Sequence, residues 1–534
     1  MTQKTTNNLG KFSPRGERRI VYVSDPSSIA RRYLPDPTTE EDLRNWIDEV
    51  ARARVDTFIQ EAYTQGWTTY WRGDHFDYDA RPQHRRFLPL LDAGVQPLEV
   101  LLDQSHKNGM EFMAGLRIND NHGHVSKRQG VGAGAGFLAD NPQWTLKETP
   151  PGPYYKLSTP LDFTFSEVRD YVFSVAAELI ETFDLDGLEL CFRDQAYFPP
   201  NKGRESQPLM TELVARIRAL LQEKGAGRNK DLLLGARVYA TLEECHNQGL
   251  DVPTWIGQGL LDYVAPADTM YSEINAPYEE FAALTRASNC MLYPGMLPWS
   301  SIRARRRLAD RPISLEQQRA LAQNFYGAGA DGFSSYNHFV AMHWAPFYPM
   351  MLQDLDEVRE PERLTQGRRH YVFEPILAGS IGFGKDRAET GAIKADKIVL
   401  ERQTPNAAGQ YRLRICEDLS TVRRASLLFR GFHMTANDQV EVRLNNTLIP
   451  PRSLRRRSDE ARPDALAPVD IDTKTSLGLP LVPDPEGPFS TCSFGLQSPP
   501  AVYGDNYLEV KLIAGDPDAT EAIVIDEIEV LVIN

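Results

Sequence analysis

The chain has 534 residues, 41% hydrophobic and 25% charged, a globular composition that excludes a disordered or fibrous protein. At roughly 150 residues per domain, this length suggests two to four domains, or a barrel with an appended module. Lys and Arg number 59 against 73 Asp and Glu, a net charge of −14 that disfavours nucleic acid and anionic membrane as partners.

In chain order, the first strand-like run is Ile20 to Val23. Leu43, Trp46, Ile47 and Val50 then repeat at helical spacing before a strand from Val55 to Ile59. Leu98, Leu101 and Leu102 mark a helix that leads through Gly109 to a strand from Met110 to Leu116. Ser166 is the expected N-cap of a helix whose buried stripe is Val168, Tyr171, Val172, Val175, Ala176, Leu179, Ile180 and Phe183. Asp184 to Gly187 breaks it, and Leu188 to Phe192 follows as a short strand. A helix through Leu213, Ile217 and Leu221 precedes the strand Leu232 to Val238. Leu260 to Ala265 and Met291 to Tyr293 are further strands. Ser314 with Gln317 forms a capping box for a helix running towards Gly327 and the strand at Asp331 to Phe333.

Eight strands alternating with helices predict a (β/α)8 TIM barrel over about residues 15–365, with a doubly wound open sheet as the competing topology. No internal repeat is visible. Beyond it, period-two runs at Lys397 to Arg402, Tyr411 to Ile415, Ala425 to Phe429, Val440 to Leu444, Tyr507 to Leu512 and Ile523 to Val532 predict an antiparallel β-sandwich over residues 375–534. Residues 450–490, rich in Pro, Arg and Asp, read as a surface loop. This module has no tryptophan, so it is expected to pack on the barrel or to mediate homo-oligomer assembly.

The first twenty residues hold no apolar stretch of a signal peptide, and no run reaches the ~20 apolar residues of a membrane span. The five cysteines form no C-x-x-C pair. A cytoplasmic protein is the expectation.

Active sites of barrels lie at the C-terminal ends of the strands, so the polar residues there are the candidates. Strand one ends in Ser24-Asp25, strand two in Gln60-Glu61, and strand three in Arg117, Asn119, Asp120 and His122. Strand four offers Glu189, Arg193 and Asp194, strand five Arg237 and Tyr239, strand six Asp268, and strand eight Ser334, Tyr336, Asn337 and His338. Trp67, Trp71, Trp144, Trp299 and Trp344 fall in loops after strands, where flat indoles suit sugar rings. Glu189 shares a strand face with Cys191 and Arg193. It is either a general acid in a partly apolar site or a barrel-interior carboxylate paired with Arg193 or Arg117. Asp120 and Asp268 are either catalytic or helix caps. No motif asks for a cofactor or a metal. The glycines from Gly130 to Gly136 lack a phosphate-loop context, and His122 with His124 lacks a third ligand.

Leu161-Asp162-Phe163, then Glu167 to Val172, then Asp186-Gly187-Leu188-Glu189-Leu190 resemble the bacterial glycosyl-hydrolase-like barrel proteins, as do Arg117 to Asp120 and Gly329 to Gly332. The similarity covers about residues 18–345 and implies a barrel with a sugar substrate. Cys191 stands where that pattern usually has aspartate, which passes the carboxylate's role to Glu189 or Asp194. The expected function is glycoside hydrolysis with Glu189 as acid/base and Asp120 or Asp268 as second carboxylate. Arg117, Asn119, His122, Arg193, Tyr239, Asn337, His338, Trp71 and Trp299 would bind the sugar. The alternative is a barrel that binds carbohydrate without cleaving it.

Overall fold

The computed structural model describes residues 18–63, 68–79, 81–120, 136–147, 160–192, 196–267, 271–300, 312–336, 338, 348–374, 397–459, 489–497 and 501–534. The first domain is the (β/α)8 barrel. Its parallel strands are β1 (Arg19–Ser24), β2 (Thr57–Tyr63), β3 (Glu111–Arg117), β4 (Gly187–Cys191), β5 (Leu233–Val238), β6 (Tyr263–Pro266), β7 (Met291–Leu292), β8 (Gly295–Met296) and β9 (Gly332–Tyr336). The pairing order β7-β6-β5-β4-β3-β2-β1-β9-β8 is a ring, because β7 and β8 are two halves of one seventh segment broken at Tyr293-Pro294. Tyr293 N–H donates to Val264 O on β6, while Asp331 N–H donates to Leu292 O and Ser334 N–H to Pro294 O. That segment therefore bonds both neighbours, and an open sheet is excluded.

Strands buried on both faces read as near-continuous apolar runs. One face of the ring fills the barrel interior with Val21, Val23, Ile59, Met113, Tyr263, Ala265 and Tyr293. The other face carries Tyr22, Phe58 and Phe112, in register on β1, β2 and β3 and stacked at 5.9 and 5.7 Å, under the helices. The helix Glu40–Arg52 buries Leu43, Trp46, Ile47 and Val50 and starts from a Thr39/Asp42 capping box. The helix Ser166–Thr182 buries the expected stripe except Tyr171, which is half-buried, and Phe183 follows as its C-cap; Ser166 is its first helical residue and Phe165 its uncapped N-cap. The polar group organising that entry stands earlier: Asp162 Oδ1 accepts Thr164 N–H and Oγ1–H. The Ser314/Gln317 capping box is present, and the helix Leu315–Ala328 passes through Gly327 to end at Gly329 (φ 102°). Gly327 is needed for close approach, since a Cβ there would lie 2.2 Å from Cys416 Cβ in the second domain.

That second domain is the antiparallel sandwich, built from β10 (Arg369–Phe373), β11 (Ile398–Leu400), β12 (Ala408–Ile415), β13 (Arg424–Phe432), β14 (Gln439–Leu444), β15 (Thr447–Leu448), β16 (Arg455–Asp459), β17 (Phe489–Gly495), β18 (Gly504–Ala514) and β19 (Ile523–Ile533). One sheet runs β10-β19-β13-β17-β16 with β11 also on β19, and the other runs β12-β18-β14-β15. The sandwich thus begins at Arg369, before residue 375. The stretch 450–490 is not all loop: Arg455–Asp459 pairs with β17 as an edge strand. Its run of arginines hides the strand, because an edge strand has little apolar alternation to show.

The sandwich packs on the barrel. Asn275 Nδ2–H donates to Arg412 O and its Oδ1 accepts Arg414 N–H. Asn324 likewise donates to Arg414 O and accepts Cys416 N–H. Two side-chain amides thereby occupy the free edge of β12, where a further strand would otherwise pair. Among the described residues no helix is long and apolar enough to cross a membrane.

Candidate active site

Arg117, at the end of β3, is the hub of the barrel mouth. Its Nε donates to Glu61 Oε1 at 2.8 Å and Nη1 to Asp120 Oδ2 at 2.9 Å. Nη2 reaches Asp25 Oδ2 at 2.8 Å, the Tyr336 hydroxyl at 2.6 Å and Glu61 Oε2 at 2.5 Å. Tyr336 donates in turn to Glu61 Oε1 at 2.9 Å. These groups arrive from β1, β2, β3 and β9, and all are buried. Burial alone would raise the Asp25 carboxyl, but the Arg117 charge and hydrogen bond, with Ser28 N–H, hold it at about 2. Burial would likewise lower Arg117, yet Glu61, Tyr336, Asp25 and Asp120 push it well above its usual range. Three carboxylates on one guanidinium leave an excess of negative charge at the mouth.

Glu189 lies in the middle of β4, 1% exposed. It is paired neither with Arg193 nor with Arg117: its Oε1 accepts Arg237 Nε–H at 3.3 Å, and its Oε2 accepts the Tyr263 hydroxyl at 3.0 Å. Register explains the choice. Glu189 stands opposite Gly235 on β5, so Arg237, two residues on, folds back to it, while Arg117 is committed to Glu61. Gly235 is required here because a Cβ would strike the Tyr263 ring at 1.9 Å. Arg237 also donates through Nη2 to Ser334 Oγ and lies 5.1 Å above the Tyr336 ring, which links it to the Arg117 cluster. Burial, then the Glu189 charge and hydrogen bond, raise the Tyr263 hydroxyl well above its usual range, so it remains a donor.

A third polar group stands behind Asp25. Arg81 Nε donates to Asp79 Oδ1 at 2.8 Å, Arg81 Nη2 to Ser27 Oγ at 2.7 Å, and Ser27 Oγ lies 2.8 Å from His84 Nε2. Burial pushes His84 down to about 4, with Asp79 opposing and Arg81 assisting.

The other expected residues divide. Asp120 and Arg117 meet at the mouth. Asn119 does not face it: its amide donates to Leu161 O and Ala196 O and accepts Leu161 N–H, holding two loops together. Trp71 is fully buried, its indole N–H on Glu178 Oε1 at 2.8 Å and its ring edge-on to Phe76, so it packs a loop and offers no stacking face. Tyr239, Trp299 and His338 are also buried, Tyr239 among the core residues outside the ring. His122, Arg193, Asp194, Asp268 and Asn337, with Trp67 and Trp344, lie outside the described residues. Glu61, Asp25, Tyr336, Arg237 and Ser334 are strand-end candidates to which the sequence assigns no catalytic or sugar-binding role. The available signal was a charge inside an apolar parallel strand, Thr57–Tyr63 for Glu61 and Leu233–Val238 for Arg237, which must be paired or functional. Tyr263 carried no such signal. Among the described residues no three His, Cys, Asp or Glu side chains gather into a metal site.

No protein-family model matches the chain. The glycosyl hydrolase DigH of Escherichia coli O6:H1 strain CFT073 is 22% identical over 298 residues, which cover 46% of this chain and 60% of DigH. DigH of strain K12 matches with the same identity and coverage. The chain therefore spans about three fifths of the length of these curated relatives. Among solved structures, the glycoside hydrolase domain of PgaB (BpsB) from Bordetella bronchiseptica shares 15% identity over 65% of this chain and 99% of that domain, at a TM-score of 0.41. The α-amylase of Geobacillus thermoleovorans shares 12% identity over 92% of this chain and 98% of its own, at a TM-score of 0.40.

Proposed function

We propose that this protein is a glycoside hydrolase that binds its sugar at the C-terminal mouth of the barrel. The observation that carries the proposal is the set of carboxylates at the strand ends, Asp25, Glu61 and Asp120, outnumbering the single guanidinium they share. Glycoside hydrolysis needs two carboxyl groups, one protonating the leaving oxygen and one acting as base or nucleophile. The hydrolase name of the DigH relatives supports the same reading.

Within this proposal Glu189 moves from acid/base to positioning residue, because both its oxygens are engaged by Arg237 and Tyr263 inside the barrel. Asp120, just beyond β3, takes the role of nucleophile or base, oriented by Arg117 Nη1. The acid is then Asp194 or Asp268, which follow β4 and β6 in sequence. A carboxyl separation of ~5 Å would give retention and ~6.5–9.5 Å inversion. A reducing compartment such as the cytoplasm suits the five buried cysteines, none in a disulfide.

The test is a glycan panel with wild type, Asp120→Asn, Asp194→Asn, Asp268→Asn and Glu189→Gln. Removing an acid or base should cost roughly 10²–10⁴-fold in kcat. Asp120→Asn and one of the two loop variants should show that loss, with Glu189→Gln less affected. One observation favours a barrel that binds without cleaving: the strand-four position between Arg117 and Arg237 is the thiol Cys191. Sugar binding with no cleavage across the panel would decide for it.

A further inference from the structure

Arg237 is 1% exposed, and its guanidinium is only partly used. Nε donates to Glu189 and Nη2 to Ser334 Oγ, whereas among the described residues Nη1 has no hydrogen-bond partner. A buried guanidinium N–H without an acceptor is costly, and native proteins rarely leave one so. Its strand neighbours bring no oxygen to it: across the ladders it faces Cys191 on β4 and Ala265 on β6. Arg237 is the penultimate residue of β5, at the end of the barrel where the Arg117 cluster lies, and it is joined to that cluster over the Tyr336 ring. The comparison within the same mouth is direct, since Arg117 uses every guanidinium nitrogen on a carboxylate.

We propose that Arg237 Nη1 is the anchor of a carboxylate subsite, and that the sugar taken by this mouth is an acidic one bearing a carboxylate on its ring. The proposal rests on the reading of the mouth as a sugar site and narrows it to a substrate class. A ligand carboxylate supplies the acceptor that Cys191 and Ala265 do not, in a charge-assisted bond to a planar donor suited to carboxylates. A neutral hexose presents hydroxyls to the same N–H, which accept more weakly.

The test is calorimetric titration of the full chain with glucuronate, galacturonate and mannuronate. Controls are the matching neutral hexoses, glucuronamide as the uncharged isostere, and acetate. Arg237→Gln removes the donor, and Cys191→Asp places an internal carboxylate beside the guanidinium. At least one uronate should bind tenfold or more tighter than its neutral hexose, glucuronamide should behave as the neutral sugar, and acetate should bind weakly. Both variants should cut uronate binding at least tenfold and weaken hexose binding less, so that the preference for uronate over hexose is lost. Cys191→Asp should keep or raise the wild-type Tm, which separates occupation of the subsite from misfolding if Arg237→Gln fails to fold. Equal binding of uronate and hexose, acetate binding as tightly as uronate, or Cys191→Asp without effect would each overturn the inference. Hexose binding without uronate preference leaves the sugar site standing and removes only this step, whereas no sugar binding at all removes both.

Discussion

The two halves of the barrel mouth use one device with different outcomes. Glu61 on β2 stands opposite Gly115 on β3, and Arg117, two residues further along β3, folds back onto it. Glu189 on β4 stands opposite Gly235 on β5, and Arg237, two residues further along β5, does the same. Each Glu–Arg pair receives a tyrosine hydroxyl from another strand, Tyr336 for the first and Tyr263 for the second. The surroundings differ. Asp25 and Asp120 complete the coordination of Arg117, while among the described residues Cys191 and Ala265 leave Arg237 one donor in excess. A Glu facing a Gly-x-Arg strand therefore yields a saturated hub or an incomplete one according to the next strands over, and the incomplete one is where a ligand has something to gain.

The largest effect should come from breaking the saturated half. Arg117→Gln strips the counter-charge from three buried carboxylates, and removing one partner of a single buried pair already costs about 3–5 kcal/mol. The variant should unfold at far lower denaturant or fail to accumulate, whereas Arg237→Gln abandons only Glu189 and should be milder. Restoring neutrality with Arg237→Gln/Glu189→Gln should recover part of that smaller loss. Equal destabilisation of the two single variants in urea titrations would remove the distinction between the halves.

Acid sharpens the comparison, because Asp25 belongs to the hub and His84 to the Arg81 group behind it. His84 is lowered to about 4 from 6.5, so the unfolded chain takes up the proton first. Stability should then fall as pH drops from 6.5 towards 4, by about 3 kcal/mol in full. Asp25, held at about 2 against 3.8, contributes stability that is present above 3.8 and lost as pH falls towards 2, about 2 kcal/mol in full. Tm between pH 7 and 3 should therefore decline in two stages. His84→Gln, whose amide can still reach Ser27, should flatten the first stage and leave the second; an unchanged first stage would place its origin elsewhere.

Much of this architecture was legible because it is periodic. The stripe Leu43, Trp46, Ile47 and Val50, the Ser314/Gln317 capping box and the apolar strand runs are local signals of burial, and the structure uses them. The split seventh strand was half visible, since Pro294 breaks Met291 to Met296 without removing it from the ring. The site was harder to read, for a physical reason. Which arginine meets Glu189 depends on register between strands far apart in sequence, and nothing local distinguishes Arg237 from Arg117 or Arg193. The tryptophans failed for the opposite reason: Trp71 falls after a strand, as expected, yet Glu178 from a distant helix claims its N–H and draws the ring inside. Arg455–Asp459 hid because its pairing partner β17 supplies the apolar alternation that it lacks.

The smallest predicted difference lies between the two tyrosines. Tyr336 donates to Glu61 and accepts from Arg117, so Tyr336→Phe removes two charge-assisted bonds in the saturated half. Tyr263 makes one bond, to Glu189 Oε2, and Tyr263→Phe removes that alone. Bonds to charged partners contribute about 1.5–3 kcal/mol each, but Glu61 keeps two contacts to Arg117, so its loss is buffered. The expected costs are about 2 kcal/mol for Tyr336→Phe and about 1.5 kcal/mol for Tyr263→Phe. Coupling should differ more than cost. In a double-mutant cycle with Glu189→Gln, Tyr263→Phe should be strongly non-additive, because the two groups share a bond, while Tyr336→Phe should couple to Glu189 only through Arg237. A cycle in which Tyr336 couples to Glu189 as strongly as Tyr263 does would mean that Arg237 has fused the two halves into one network, and the donor at Nη1 would then have to be counted against both.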